Sequence, residues 1–225
     1  MDYRYLAEGS DWFWWYGADQ DSGQDSYFDI GFRALLAKVY ESLGEPVPTF
    51  VNIPIIPKAP AKATRSLAGI ATATVDGSAM EDAWATAAYY ESTGSPATGL
   101  YYTMDGTNLY LRLDLSTPLA EGSTVGFYLV NPRATGEVYP FPLGNEETLL
   151  GIAATNLFEY DGSQVTAYTA GEEGWVESGP AGSAIQGEGV LEVALPWAAI
   201  GELEAGDDLR MVAVIQPENE ILPMS

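Results

Sequence analysis

The sequence predicts a mainly β chain: an antiparallel β-sandwich preceded by an N-terminal helical segment and a proline-rich connector. Three observations carry this expectation. From about residue 67 onward, short runs rich in Val, Leu, Ile, Tyr and Thr are separated by turn pairs such as Asp76-Gly77, Asp105-Gly106, Asn131-Pro132, Asp161-Gly162 and Gly206-Asp207. That is the pattern of many short antiparallel strands. Phe28, Phe32, Leu35, Leu36, Val39 and Leu43 recur at helical spacing. Between these regions, residues 45–65 hold five prolines, a density that forbids helix and interior strand. The expected division is a helical segment over 1–44, a connector over 45–66 and a sandwich over 67–225.

Taken in order, the helix should begin at Ser26 as N-cap, with Asp29 three residues on as a short-armed capping-box partner. It should stop at Gly44, with Pro46 beyond. In the connector, Phe50, Val51, Ile53, Ile55 and Ile56 are too apolar for a free linker, so the segment should lie along a surface. The expected strands begin with Ile70–Val75. A hairpin follows, pairing Leu100–Met104 with Leu109–Leu115 around a tight Asp105-Gly106 turn. Thr124–Val130, Thr148–Ala154, Leu157–Tyr160, Gln164–Tyr168, Trp175–Glu177, Ala184–Leu195 and Leu209–Ile215 continue the series.

Composition narrows the chemistry. The chain has no Cys and no His, which removes disulfides, thiolate metal sites and both Ser-His-Asp and Cys-His catalysis. No apolar run approaches the roughly 20 residues of a membrane span. The net charge of −23 is uneven. Residues 1–65 carry six basic and nine acidic residues, whereas 66–225 carry three basic (Arg112, Arg133, Arg210) and 23 acidic. Such a surface repels nucleic acid and anionic membranes and leaves neutral glycans or cations as partners. It suits a salty, hot or extracellular setting, and an extracellular or cell-surface location is the expectation. With 32 acidic residues, a pair of carboxylates spaced for glycoside hydrolysis will occur by chance.

The densest feature is Gly9–Gly17, in which Trp12, Phe13, Trp14, Trp15 and Tyr16 are consecutive. Such a run serves either as a buried packing hub or as a floor on which sugar rings stack. Asp11 either caps a helix beginning at Trp12 or accepts sugar hydroxyls. The polar loop after it, with Asp19, Asp21 and Asp25, fails the EF-hand pattern, because Gly23 and Ile30 stand where that loop needs other residues.

The run Ala7-Glu8-Gly9-Ser10-Asp11-Trp12-Phe13-Trp14-Trp15-Tyr16-Gly17 resembles the last sequence motif of family 57 glycoside hydrolases of the amylopullulanase type, and residues 28–46 resemble the helix after it. The resemblance implies that Asp11, Trp12, Trp14 and Trp15 line glucan subsites. It also implies that the chain is no enzyme on its own, because the family's nucleophilic Glu and acid Asp lie far upstream of the motif. Gln20 stands where relatives commonly carry His, which weakens any catalytic role for the loop. The implied partners are an α-glucan or related polysaccharide and the catalytic barrel of a parent enzyme.

Three fragments of the sandwich resemble DOMON-like and family-9-like carbohydrate-binding domains and the C-terminal module of glucodextranases. They are Val75-Asp76-Gly77 with Asp82-Ala83-Trp84, Leu100-Tyr101-Tyr102 with Leu109-Tyr110-Leu111, and Leu195 to Gly201. Members of these groups bind sugar, haem or structural calcium; haem lacks an axial His or Cys here. No cofactor is required, but Asp76, Glu81 and Asp82 are candidate calcium ligands. Trp84 and Trp197 are expected in the core. Trp175, at a loop-to-strand junction, is expected to be exposed and to contact sugar. The expected function is that of a C-terminal accessory region of an α-glucan-active glycoside hydrolase. The alternative is a non-catalytic surface or assembly protein whose aromatic stretch is a packing contact.

Overall fold

Period-2 alternation puts every second side chain of a strand on one face, and two sheets that bury such faces against each other make a sandwich. The computed structural model, which describes residues 3–9, 12, 25–48, 51, 54–55, 61–134, 152, 154–171, 174–204, 206–218 and 220–222, has this form. The chain divides into two compact units, Met1–Ala59 and Pro60–Ser225.

In the first unit, helix α1 spans Tyr3–Ala7 and α2 spans Asp25–Leu43. Gly44 takes the left-handed conformation, φ 73°. The Glu45 N–H then reaches the Tyr40 carbonyl and the Gly44 N–H that of Glu41, both at 3.1 Å, the Schellman closure expected of a C′ glycine. The helix opens one residue earlier than expected, and Asp29 has a different task. It is buried within the helix, pairs with Arg33 at 2.9 Å and accepts the Ile55 N–H at 3.2 Å. It therefore ties the connector to the helix rather than capping it. Val51 is buried, so the connector does lie along a surface at this point.

The second unit holds eleven strands among the described residues: β1 Ala88–Glu91, β2 Ala97–Met104, β3 Asn108–Leu115, β4 Thr124–Val130, β5 Asn156–Tyr160, β6 Val165–Gly171, β7 Gly174–Pro180, β8 Ser183–Gln186, β9 Val190–Pro196, β10 Arg210–Gln216 and β11 Glu220–Leu222. A short 3₁₀ turn at Asp82–Ala85 precedes them, and a single turn, α3 (Trp197–Ile200), follows β9. Sheet A has the order β1-β2-β3-β9-β8 and sheet B the order β11-β10-β4-β5-β6-β7, with every pairing antiparallel. Leu100, Leu111, Leu113, Leu191, Val193 and Leu195 of sheet A meet Val125, Phe127, Leu129, Phe158, Ala213 and Ile215 of sheet B in one core.

Most expected strands are present, with three corrections. Ile70–Val75 is no strand. It crosses the outer face of sheet A, buries Ala73 and leaves Ile70 72% exposed. Its polar backbone finds side chains instead: the Thr74 N–H donates to Glu81 and the Ala71 carbonyl accepts from Thr103. Residues 184–195 form two strands, β8 and β9, with a turn at 187–189. The short strands β1 and β11 escape the pattern because neither is long enough to show alternation. Of the expected strand Thr148–Ala154, residues 148–151 and 153 lie outside the described residues, and Ala154 itself is buried.

Two carboxylates fasten the turns. Glu220, pointing from β11 into the sandwich beside Ile215, accepts the Ala97 N–H at 2.9 Å. It sits where a side chain at Gly94 would have to be, and burial pushes its carboxyl up. Asp105 closes the β2–β3 hairpin. Its Oδ1 accepts the N–H groups of Thr107 (2.7 Å) and Asn108 (2.9 Å), and its Oδ2 accepts the hydroxyls of Thr72 (2.8 Å) and Tyr110 (2.9 Å). The Asn108 and Thr107 N–H groups, then the Thr72 hydroxyl, hold its carboxyl down at about 2.

A lowered carboxyl stabilises the fold above its unfolded-state value, and that stability is lost as pH falls through the folded-state value. The stability of the chain should therefore decline between about pH 4 and pH 2, and Asp105→Asn should flatten that decline while lowering stability at pH 7. Urea unfolding at a series of pH values measures both; an unchanged acid slope in the variant would remove Asp105 from this role.

Candidate functional site

Inward-facing Leu111 and Leu113 leave Arg112 of β3 on the outer face of sheet A. Strand register extends this into one row across the sheet: Tyr89 of β1, Tyr101 of β2, Arg112 of β3, Glu192 of β9 and Ile185 of β8. The segment 73–87 lies over the row and packs Ala73, Trp84 and Ala87 against Tyr110 and Ala194.

Glu192 has no exposed surface. A buried carboxylate must be hydrogen-bonded or it is prohibitively costly, and this one accepts three N–H groups. Trp84 Nε1 donates to Oε1 at 2.9 Å, while the backbone N–H groups of Asp76 (3.0 Å) and Gly77 (2.9 Å) donate to Oε2. Gly77 has φ 78°, and a side chain on Gly187 would collide with its carbonyl. The 76–77 and 187–189 turns are thus in close approach.

Arg112 is 7% exposed. Its Nε and Nη2 bond both oxygens of Asp114 at 2.7 and 3.0 Å, and Nη1 donates to the Ala79 carbonyl at 3.2 Å. Its guanidinium lies over the rings of Tyr101 (4.4 Å) and Trp84 (5.6 Å), a geometry that attracts a cation to a π face. Tyr89 stacks on Tyr101 at 4.4 Å and lies over Gly99, where no Cβ would fit. Burial, and secondarily Asp114, pushes the Tyr101 hydroxyl up; burial and then Glu91 do the same for Tyr89. Both phenols are neutral donors at neutral pH. Beside Asp114 a cavity of about 520 Å³ opens, lined by Ser78, Ala79, Arg112, Asp114, Glu188 and Gly189 among others.

A second cavity, of about 510 Å³, lies at one end of sheet B. Its buried polar groups satisfy one another. The Asn131 N–H donates to Thr155 Oγ1 at 2.9 Å, and Asn131 Nδ2 donates to the Ile200 carbonyl at 3.1 Å. Arg133 is held by Glu204 and Asp207.

The expected site residues are dispersed. Trp12 packs on α2: its ring meets Phe28 edge-on and Phe32 obliquely, each at 6.0 Å, and its Nε1 donates to the Leu6 carbonyl at 2.8 Å. Asp11, Trp14 and Trp15 lie outside the described residues. Trp175, expected to be exposed, is half-buried at the start of β7, where its ring packs 6.1 Å from Tyr128. Trp84 is buried, as expected of a core residue, and Trp197 is half-buried, with its Nε1 donating to the Asp105 carbonyl at 2.8 Å.

Asp76, Glu81 and Asp82 do not converge as a calcium cage. Asp76 Oδ1 accepts the Ser78 N–H at 2.8 Å and Glu81 Oε2 accepts the Thr74 N–H at 2.9 Å. Among the described residues no three acidic groups stand together as metal ligands. The residues that sequence reasoning passed over are Tyr89, Arg112, Asp114 and Glu192. A usable signal was present for Arg112 and Asp114: one of only three basic residues after position 65, inside an otherwise apolar strand, with an acid two residues on and hence on the same face.

No protein-family model matches the chain, and no curated protein matches it.

Replacing Glu192 by Ala leaves the buried Trp84 N–H and the part-buried N–H groups of Asp76 and Gly77 without this acceptor. At about 1–3 kcal/mol per orphaned group, partly relieved by relaxation, Glu192→Ala should cost about 3 kcal/mol in urea unfolding. A loss below about 1 kcal/mol would mean that the 73–87 segment is not anchored through this carboxylate.

Proposed function

We propose that this chain is a C-terminal accessory region of an α-glucan-active, amylopullulanase-like glycoside hydrolase, which binds neutral carbohydrate or supports the catalytic domain and does not cut glycosidic bonds itself. The motif at residues 7–17 suggests the parent enzyme. The observation that carries the binding role is the cluster on the outer face of sheet A: two half-buried tyrosine rings beside a planar Arg112–Asp114 pair. Aromatic faces stack on the C–H faces of sugars, and planar polar groups take their hydroxyls. The acidity of the chain turns away anionic ligands but is indifferent to neutral glycans.

Trp12 favours a second reading. Its ring is packed and its N–H is already bonded, which is what a surface or assembly protein with a purely structural aromatic stretch requires.

Calorimetry of the intact chain with maltoheptaose, and affinity gels containing amylopectin, pullulan, cellulose or xylan, separate the two. The expected result is weak binding confined to α-glucans, with a millimolar Kd equivalent to roughly 4 kcal/mol, and no new reducing ends. Absence of binding to every α-glucan supports the assembly reading. Turnover that survives re-purification and disappears on changing one carboxylate overturns the non-catalytic assignment.

A further inference from the structure

Resting on the carbohydrate-binding reading, we propose that the sugar is held on the sandwich, in the cavity between the 77–79 and 187–189 turns, with the Arg112–Asp114 pair as its floor. The cavity volume of about 520 Å³ lies within the range of small-ligand sites. Its floor presents donor and acceptor side by side. Arg112 has five N–H donors, three of which are engaged by Asp114 and Ala79. The Asp114 carboxylate, 27% exposed in its side chain, keeps lone pairs beyond those that Arg112 occupies. One sugar hydroxyl accepting from the guanidinium while its neighbour donates to the carboxylate is the bonding a vicinal diol requires.

The charge of the site selects the ligand class. Arg112 is already neutralised by Asp114 and covered by the Tyr101 ring. A phosphate or carboxylate ligand would meet Asp114, Glu188 and a chain that over residues 66–225 carries 23 acidic residues against three basic ones. A bare cation would meet the guanidinium. A neutral polyol meets neither penalty. The floor is preorganised, because Ala79, Tyr101 and Trp84 hold Arg112 from three sides.

The test is calorimetry of maltoheptaose with the full chain and four variants. Asp114→Asn removes the acceptor. Gly189→Trp fills the cavity mouth without touching the ion pair; Gly189 is exposed, and a Cβ there meets nothing closer than 3.7 Å. Trp175→Ala and the Trp14→Ala/Trp15→Ala pair address the alternative sites. Asp114→Asn and Gly189→Trp should each weaken binding at least about tenfold, the latter with an unchanged urea midpoint, while the other two variants stay within about twofold of the parent. Undiminished binding in a folded Gly189→Trp chain, or loss confined to Trp175→Ala or to the Trp14/Trp15 pair, overturns this site while leaving the carbohydrate-binding role intact. A parent chain that binds no glycan overturns both.

Discussion

A carboxylate without access to water, Glu192, holds the outer half of the sandwich together. Charge in such a place is tolerable only when fully hydrogen-bonded, and its three N–H partners come from the 76–77 turn and from the indole of Trp84. Charge-assisted bonds of this kind are stronger than neutral ones. They select one arrangement for a segment with no strand pairing of its own over residues 70–75. Trp84 then lies over the sheet, Arg112 beneath it is covered, and the Ala79 carbonyl comes within reach of that guanidinium.

The same constraint shapes the cavity. With the 76–77 turn pinned over β9, the Gly187 turn must run beside it, and no side chain fits at 187. The two turns form the walls, and Arg112 with Asp114 forms the floor. Across β3 the row continues into Tyr101 and Tyr89, cross-strand neighbours whose stacking is the kind of pair that stabilises a sheet face. Arg65 extends the row at the edge: its backbone bridges Tyr89, and its guanidinium donates to the Ala87 and Trp84 carbonyls. Structural anchoring and surface chemistry are therefore built from the same few side chains.

In the first unit, Trp12 is a packing residue, seated on Phe28 and Phe32, with its N–H bonded to Leu6. A tryptophan in an aromatic run reads equally well as sugar floor or as hub, because both roles call for a large flat apolar ring. At Trp12 the ring is in contact with α2. On the sandwich, tyrosines that look like ordinary strand residues turn out half-buried beside an ion pair.

Local signals were sufficient for the features that depend only on near neighbours in the chain. The helix stop at Gly44, the Asp105-Gly106 hairpin, most strands and the sandwich class all follow from periodicity and turn chemistry, which act over a few residues. Partner choice was beyond them. Ile70–Val75 has the composition of a strand, yet it pairs with none, because the outer face of sheet A offers it side chains rather than a free edge. Likewise, nothing within a few residues of Glu192 shows that its partners are Asp76, Gly77 and Trp84, or that Tyr89, Tyr101 and Arg112 stand in line with it. Those four residues lie on four strands, and only the strand order and register of sheet A bring them into one row.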